Sequence, residues 1–94
     1  MAEAVTLNQI EDDLKSLPGW SFEHDSLTKE YLFENFVEAM GFLVKVGIEA
    51  ERMMHHPEIF NVYNRVTITL RTHDIGNVVS DLDVKLAQKI ESLV

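Results

Sequence analysis

The sequence contains no cysteine, two prolines, four glycines and one tryptophan, and no apolar run approaches the length of a membrane span. The missing cysteines exclude disulfide frameworks, thiolate zinc sites and cysteine nucleophiles together. Positive charge is also scarce: eight Lys and Arg stand against sixteen Asp and Glu, for a formal net charge of −8. The basic residues (Lys15, Lys29, Lys45, Arg52, Arg65, Arg71, Lys85, Lys89) are scattered singly. Phosphate binding needs clustered cations that release counterions, so nucleic acid and anionic membrane surfaces are not expected partners. The first thirteen residues have neither a basic stretch nor an apolar one of the kind that marks a secretory leader, which points to a soluble, cytoplasmic protein. Glycine-rich phosphate loops are absent as well.

What is present is ordinary globular composition. Of 94 residues, 46% are apolar and 26% charged, which suits a single domain over residues 1–94 and leaves no room for a second core. So short a chain buries only about 60–65% of the surface its unfolded form exposes, so self-association is expected to add to its stability.

Periodicity sets out the elements. Leu7, Ile10, Leu14 and Leu17 fall at helical spacing behind Thr6 and Gln9, a capping-box pattern, and Leu17-Pro18-Gly19 stops the run. A helix over Leu7–Ser16 is predicted. Trp20, Phe22 and His24 alternate with polar residues, Asp25-Ser26 offers turn chemistry, and Leu27–Phe33 resumes the pattern, which reads as a hairpin. From Asn35, Phe36, Met40, Leu43, Val44 and Ile48 share one helical stripe, with Asn35 and Glu38 at the N-cap and N3 positions. This helix is expected to run to Met54, ending before Pro57. Gly41 and Gly47 within it suggest close packing, against the sheet or against another subunit. Ile59–Tyr63, a turn at Asn64-Arg65 and Val66–Thr72 form a second hairpin, and Ser80 with Asp83 opens a last helix through Leu82, Leu86, Ile90 and Leu93. The predicted fold is α+β: a four-stranded antiparallel sheet with three helices packed on one face, in the order α-β-β-α-β-β-α.

Three of the four histidines occupy particular places. His55-His56-Pro57 follows the long helix, and His73 follows the last strand. Pro57 forces His56 toward extended geometry, so the chain turns sharply with two imidazoles at the bend. Imidazole is the side chain best placed to exchange protons near neutral pH, and three of them make a candidate acid–base site. Each also has a plainer reading. His55 alone suits a helix C-terminus, Asp83 suits N3 of a helix, Glu51 suits an i, i+4 surface pair with His55, and Met53-Met54 suits core filling. His24 receives no role. Three imidazoles with Glu51 or Asp83 could in principle hold zinc, but adjacent side chains such as His55 and His56 diverge, and the spacing matches neither a His-Glu-x-x-His helix nor a deaminase signature. The metal-free reading is therefore preferred, with no metal and no cofactor expected. No Ser or Thr is tied to these histidines by a nucleophile elbow.

Glu51-x-x-x-His55-His56-Pro57, Tyr63 six residues beyond the proline, Thr72-His73 and Ser80-x-x-Asp83 together resemble the signature of the pterin-4a-carbinolamine dehydratases. The resemblance extends to Pro18-Gly19-Trp20, the Phe33 to Phe42 aromatic spacing and Asn61-Val62-Tyr63-Asn64 with Val66, and so spans nearly the whole chain. It implies dehydration of 4a-hydroxytetrahydropterin to quinonoid dihydropterin, which recycles the pterin used by aromatic amino acid hydroxylases. It also implies His55 and His73 as acid and base, His56 binding the pterin and polarising its hydroxyl, and Asp83 orienting a histidine. Glu51, His56, Pro57 and Thr72 are the implied substrate-binding residues, with Glu51 at the edge. The resemblance further implies a homodimer formed through edge strands, or a homotetramer docked through helices. The alternative is a non-catalytic pterin-binding or protein-dimerisation module. One departure stands out: only Asp74 and Ile75 separate His73 from Gly76, yet Asn77-Val78-Val79 then adds one residue more than the family pattern between His73 and Asp83.

Overall fold

A computed structural model describes residues 2–94. The elements are α1 (Leu7–Leu14), β1 (Ser21–Glu23), β2 (Ser26–Leu32), α2 (Phe36–Met53), β3 (Glu58–Val62), β4 (Arg65–Leu70), a 3-10 turn η1 (His73–Ile75) and α3 (Asp81–Glu91). The predicted element order is the observed one. The four strands form one antiparallel sheet in the order β1-β2-β4-β3, which puts β3 at an edge. Leu27 and Tyr31 of β2 and Val66, Ile68 and Leu70 of β4 are buried beneath the helices, while Thr28, Thr67 and Thr69 lie on the opposite face.

Caps set the helix starts. Thr6 accepts a hydrogen bond from the Gln9 amide at 3.2 Å, and Asn35 accepts one from the Glu38 amide at 2.9 Å. At α3, the Leu82 amide donates to the Ser80 hydroxyl at 3.2 Å while the Asp83 carboxylate takes the Ser80 amide at 2.8 Å. α1 ends at Leu14, two residues short of the expected Ser16, where the chain tightens into a turn leading to Leu17. Both hairpin turns fall one residue earlier than predicted. In the first, His24 and Asp25 are the two central residues, both with positive φ, which matches the twist of the flanking strands. In the second, Tyr63 and Asn64 make the turn.

The α2 stripe differs from the expected one. Ala39, Phe42, Val46 and Ala50 face the core, whereas Phe36, Val44 and Ile48 are exposed. Apolar residues line two faces of this helix, and small Ala39 and Ala50 decide which lies close against the sheet. Gly41 and Gly47 sit on the outer side, where an added Cβ would meet nothing within 4 Å, so close packing against the sheet is not the reason for them.

The aromatic side of the core carries a polar knot. One Glu91 carboxylate oxygen accepts from Lys29 Nζ at 2.5 Å, Tyr31 Oη at 2.6 Å and Trp20 Nε1 at 3.1 Å. Burial opposes charge on Glu91, but these three donors and the Lys29 charge hold its carboxyl below the ordinary range. Burial and the neighbouring Glu91 push the Tyr31 phenol up. A carboxyl so depressed stabilises the fold above its unfolded value near 4.5 and loses that contribution as pH falls through the folded value. Urea unfolding followed from about pH 6 down to pH 3 should therefore show a loss of stability, part of which Glu91→Gln removes. An equal pH slope in the variant would move the effect elsewhere, for instance to Asp81, whose carboxyl the Glu3 amide also holds low.

Candidate functional site

The site forms where the end of α2 meets the end of β4. Met54 leaves α2 in a left-handed conformation, φ 51°, with its own amide bonded to the Glu51 carbonyl and the His55 amide bonded to the Ala50 carbonyl. This is the Schellman ending that glycine usually supplies, and methionine there is strained. The chain reverses at once, and Pro57 sends it into β3. His55 is thereby turned inward and His56 outward.

His55 Nε2 lies 2.5 Å from Asp83 Oδ1, and both side chains are buried. The other carboxylate oxygen of Asp83 accepts from the Thr72 hydroxyl and from the Ser80 amide, each at 2.8 Å. The Ser80 and Thr72 hydroxyls are 2.6 Å apart. Because Thr72 gives its proton to Asp83, Ser80 must donate to Thr72, and Ser80 in turn accepts from the Leu82 amide. Every hydrogen is accounted for. A carboxylate only accepts, so His55 carries its proton on Nε2 and keeps Nδ1 as its second nitrogen. The capping role and the histidine-orienting role of Asp83 are thus compatible, because its two oxygens serve one each, and the longer loop before it does not draw Asp83 away.

His56 is exposed and its Nε2 lies 2.8 Å from Glu51 Oε1. The expected i, i+4 partner of Glu51 was His55. The left-handed Met54 swings His56 back over the helix end instead. His73 heads η1, exposed, with Nδ1 2.5 Å from Asn77 Oδ1. All three histidines border one cleft of about 180 Å³, together with Met54, Arg71, Thr72 and Asp74. Asp83 stands behind the cleft through its bond to His55, Glu51 lies at the rim on His56, and Pro57 is half-buried outside the lining. His24 is in the β1–β2 turn and takes no part in this cleft.

Arg71 and Asn77 were not read from the sequence as site residues. Arg71 borders the cleft and pairs with Glu58, Nε to Oε2 3.0 Å, across the two strand ends that carry the histidine segments. A lone arginine in an alternating strand gives no sign of this. Asn77 did carry a signal, since asparagine following glycine favours a left-handed turn that folds the chain back. Among the described residues no group of three or more His, Asp or Glu side chains is arranged to hold a metal ion, in keeping with the separate carboxylate partners of His55 and His56.

Fold and site together describe a small α+β protein with a histidine cleft backed by a buried carboxylate. A family profile described as Pterin 4 alpha carbinolamine dehydratase matches residues 3–93. A protein of Opitutus terrae with the printed name "Putative pterin-4-alpha-carbinolamine dehydratase" is 46% identical over 93 residues, covering 99% of this chain and 96% of its own. One of the same name from Prochlorococcus marinus strain MIT 9303 is 47% identical over 92 residues, covering 98% and 95%. A crystal structure from Brucella melitensis, titled transcriptional coactivator/pterin dehydratase, superimposes with a TM-score of 0.92 at 36% identity, covering 97% of this chain and 98% of that one. A pterin dehydratase-like protein described as a RuBisCO assembly factor shares the fold, with a TM-score of 0.63 at 21% identity. The chain belongs to the pterin-4-alpha-carbinolamine dehydratase family.

Proposed function

We propose that this protein dehydrates 4a-hydroxytetrahydropterin to quinonoid dihydropterin by histidine acid–base catalysis, in recycling of a tetrahydropterin, with the cytoplasm as its compartment. The observation that carries the reading is the convergence of His55, His56 and His73 on one cleft with Asp83 bonded behind His55. In the reaction a base takes the proton from N5, the electron pair forms the N5=C4a bond, and the C4a–O bond breaks. An acid protonates the departing oxygen, which leaves as water. His73 and His55 fit the base and acid roles, since each has one ring nitrogen held by a side-chain oxygen and another left for substrate. Asp83 fixes the His55 ring and supplies the counter-charge when that ring is protonated. His56, with Thr72 in the lining and Glu51 at the rim, serves to bind the pterin, and Pro57, outside the lining, fixes the turn that presents His56.

Two measurements separate this reading from a non-catalytic pterin-binding module. Titration with a stable dihydropterin should show binding in the cleft that His56→Ala weakens, and the carbinolamine should be turned over. Binding without turnover favours the module. Turnover should also survive chelation, because each imidazole has its own hydrogen-bond partner; a loss of rate with chelator that zinc restores would overturn the metal-free mechanism.

The proposal includes a homodimer or homotetramer. Edge strand β3 and its turn leave Ile59, Phe60, Val62 and Tyr63 exposed, and α2 exposes Val37, Val44 and Ile48. Subunits of net charge −8 repel one another, so added salt should favour assembly. Sedimentation across a salt series should show at least a dimer at micromolar concentration and physiological salt. A monomer there refutes the dimer, and tighter association at low salt refutes the electrostatic part.

A further inference from the structure

We propose that Asn77 is a positioning residue that sets the tautomer of His73, so that the ring offers an unprotonated Nε2 to the cleft. The inference deepens the proposed dehydratase reading and rests on it for its kinetic arm. The segment from Thr72 to Val78 is a closed loop: the Thr72 amide bonds to the Val78 carbonyl at 2.8 Å, the Asn77 amide to the Thr72 carbonyl at 3.0 Å, and the Gly76 amide to the His73 carbonyl at 3.1 Å. Gly76 and Asn77 both have positive φ, 95° and 61°, and these two left-handed steps turn the Asn77 side chain back onto the His73 ring. An amide oxygen only accepts, so with Oδ1 2.5 Å from Nδ1 the hydrogen must sit on Nδ1. The neutral ring then has its lone pair on Nε2, the state a base requires.

His55 receives the complementary treatment. Asp83 holds its proton on Nε2, whereas Asn77 holds that of His73 on Nδ1, and the two rings enter the cleft with opposite nitrogens committed. A carboxylate also supplies charge and an amide does not, so the pair of orienting residues distinguishes a ring suited to carry a proton from one suited to accept it. His55, His56, Arg71 and Asp74 line the same cleft as His73.

The test combines ¹⁵N spectroscopy of the imidazole with kinetics on the full chain. In the wild type, long-range ¹H–¹⁵N correlations on the neutral His73 ring should show a protonated Nδ1 and an unprotonated Nε2. Asn77→Gly keeps the left-handed backbone but removes the acceptor. It should shift His73 toward the Nε2–H form and lower kcat about three- to tenfold, with KM little changed. Asn77→Asp restores an acceptor and should recover the Nδ1–H form and most of kcat, while moving the acid limb of the kcat profile to higher pH. Nε2–H on His73 in the wild type, or a tautomer unmoved by Asn77→Gly, overturns the proposal. The spectroscopic arm needs no turnover: an Nδ1–H ring in a chain that fails to dehydrate counts against the proposed activity, not against the coupling.

Discussion

Replacing His73, the proposed base, or His56, which binds the pterin and polarises its hydroxyl, by alanine is expected to slow dehydration by about 10²–10⁴-fold, the range for losing a positioned group that acts on the reacting atoms, with the fold intact. Both side chains are exposed, and each makes one side-chain hydrogen bond, to Asn77 and Glu51 respectively, so little packing is lost with either ring. The two effects should not add. Once one ring is gone the other works on a misplaced substrate, and the double variant should be only modestly slower than the worse single one. Full activity in either single variant sinks the assignment. Unfolding midpoints measured beside the rates guard against a trivial loss of structure.

The second large effect is expected at Asp83, and two substitutions separate its roles. Alanine would strand His55, the Thr72 hydroxyl and the Ser80 amide in the interior, at a cost of about 3–5 kcal/mol. That is a large share of the roughly 5–10 kcal/mol a domain of this size has. Asparagine keeps the shape. Its oxygen can accept from Thr72 and Ser80, but its NH₂ then faces His55 Nε2, which must give up its proton and carry it on Nδ1 instead. The Nδ1 proton then belongs to a neutral imidazole, a far weaker acid than the imidazolium that Asp83 favours, and the counter-charge is gone. Dehydration by Asp83→Asn should fall about 10²–10⁴-fold, by analogy with the same exchange behind a catalytic histidine elsewhere. Wild-type turnover in a folded Asp83→Asn protein would confine Asp83 to capping α3.

Most of the fold was legible because its signals are local. Thr6, Asn35 and Ser80 cap the helices as their spacing with Gln9, Glu38 and Asp83 indicates, and the alternation through Val66–Leu70 is that of a strand buried on one face. What misled was information that is not local. The α2 stripe was misassigned because the helix is apolar on two sides, and only the sheet beneath Ala39 and Ala50 distinguishes them. The hairpin turns moved by one residue because His24 and Tyr63 adopt positive φ, which side-chain type does not single out for His24 and argues against for Tyr63. At the site, the motif offered the histidines together with Asp83 as an orienting carboxylate, but not which carboxylate serves which ring, nor Asn77. That Glu51 serves His56 rather than His55 depends on the left-handed Met54, and that Asn77 reaches His73 depends on two consecutive left-handed residues. Asp83 reaches His55 as part of the capping unit it forms with Ser80.

Stopped-flow absorbance of 4a-hydroxytetrahydropterin decay, with the carbinolamine generated in place and the purified full chain added in the presence of chelator, decides whether the histidine cleft is a metal-free dehydratase. A dehydratase should give decay to quinonoid dihydropterin that is faster than in buffer alone, rises in proportion to enzyme concentration, and saturates with substrate. Decay at the buffer rate, from a folded chain that still binds a dihydropterin, would contradict it.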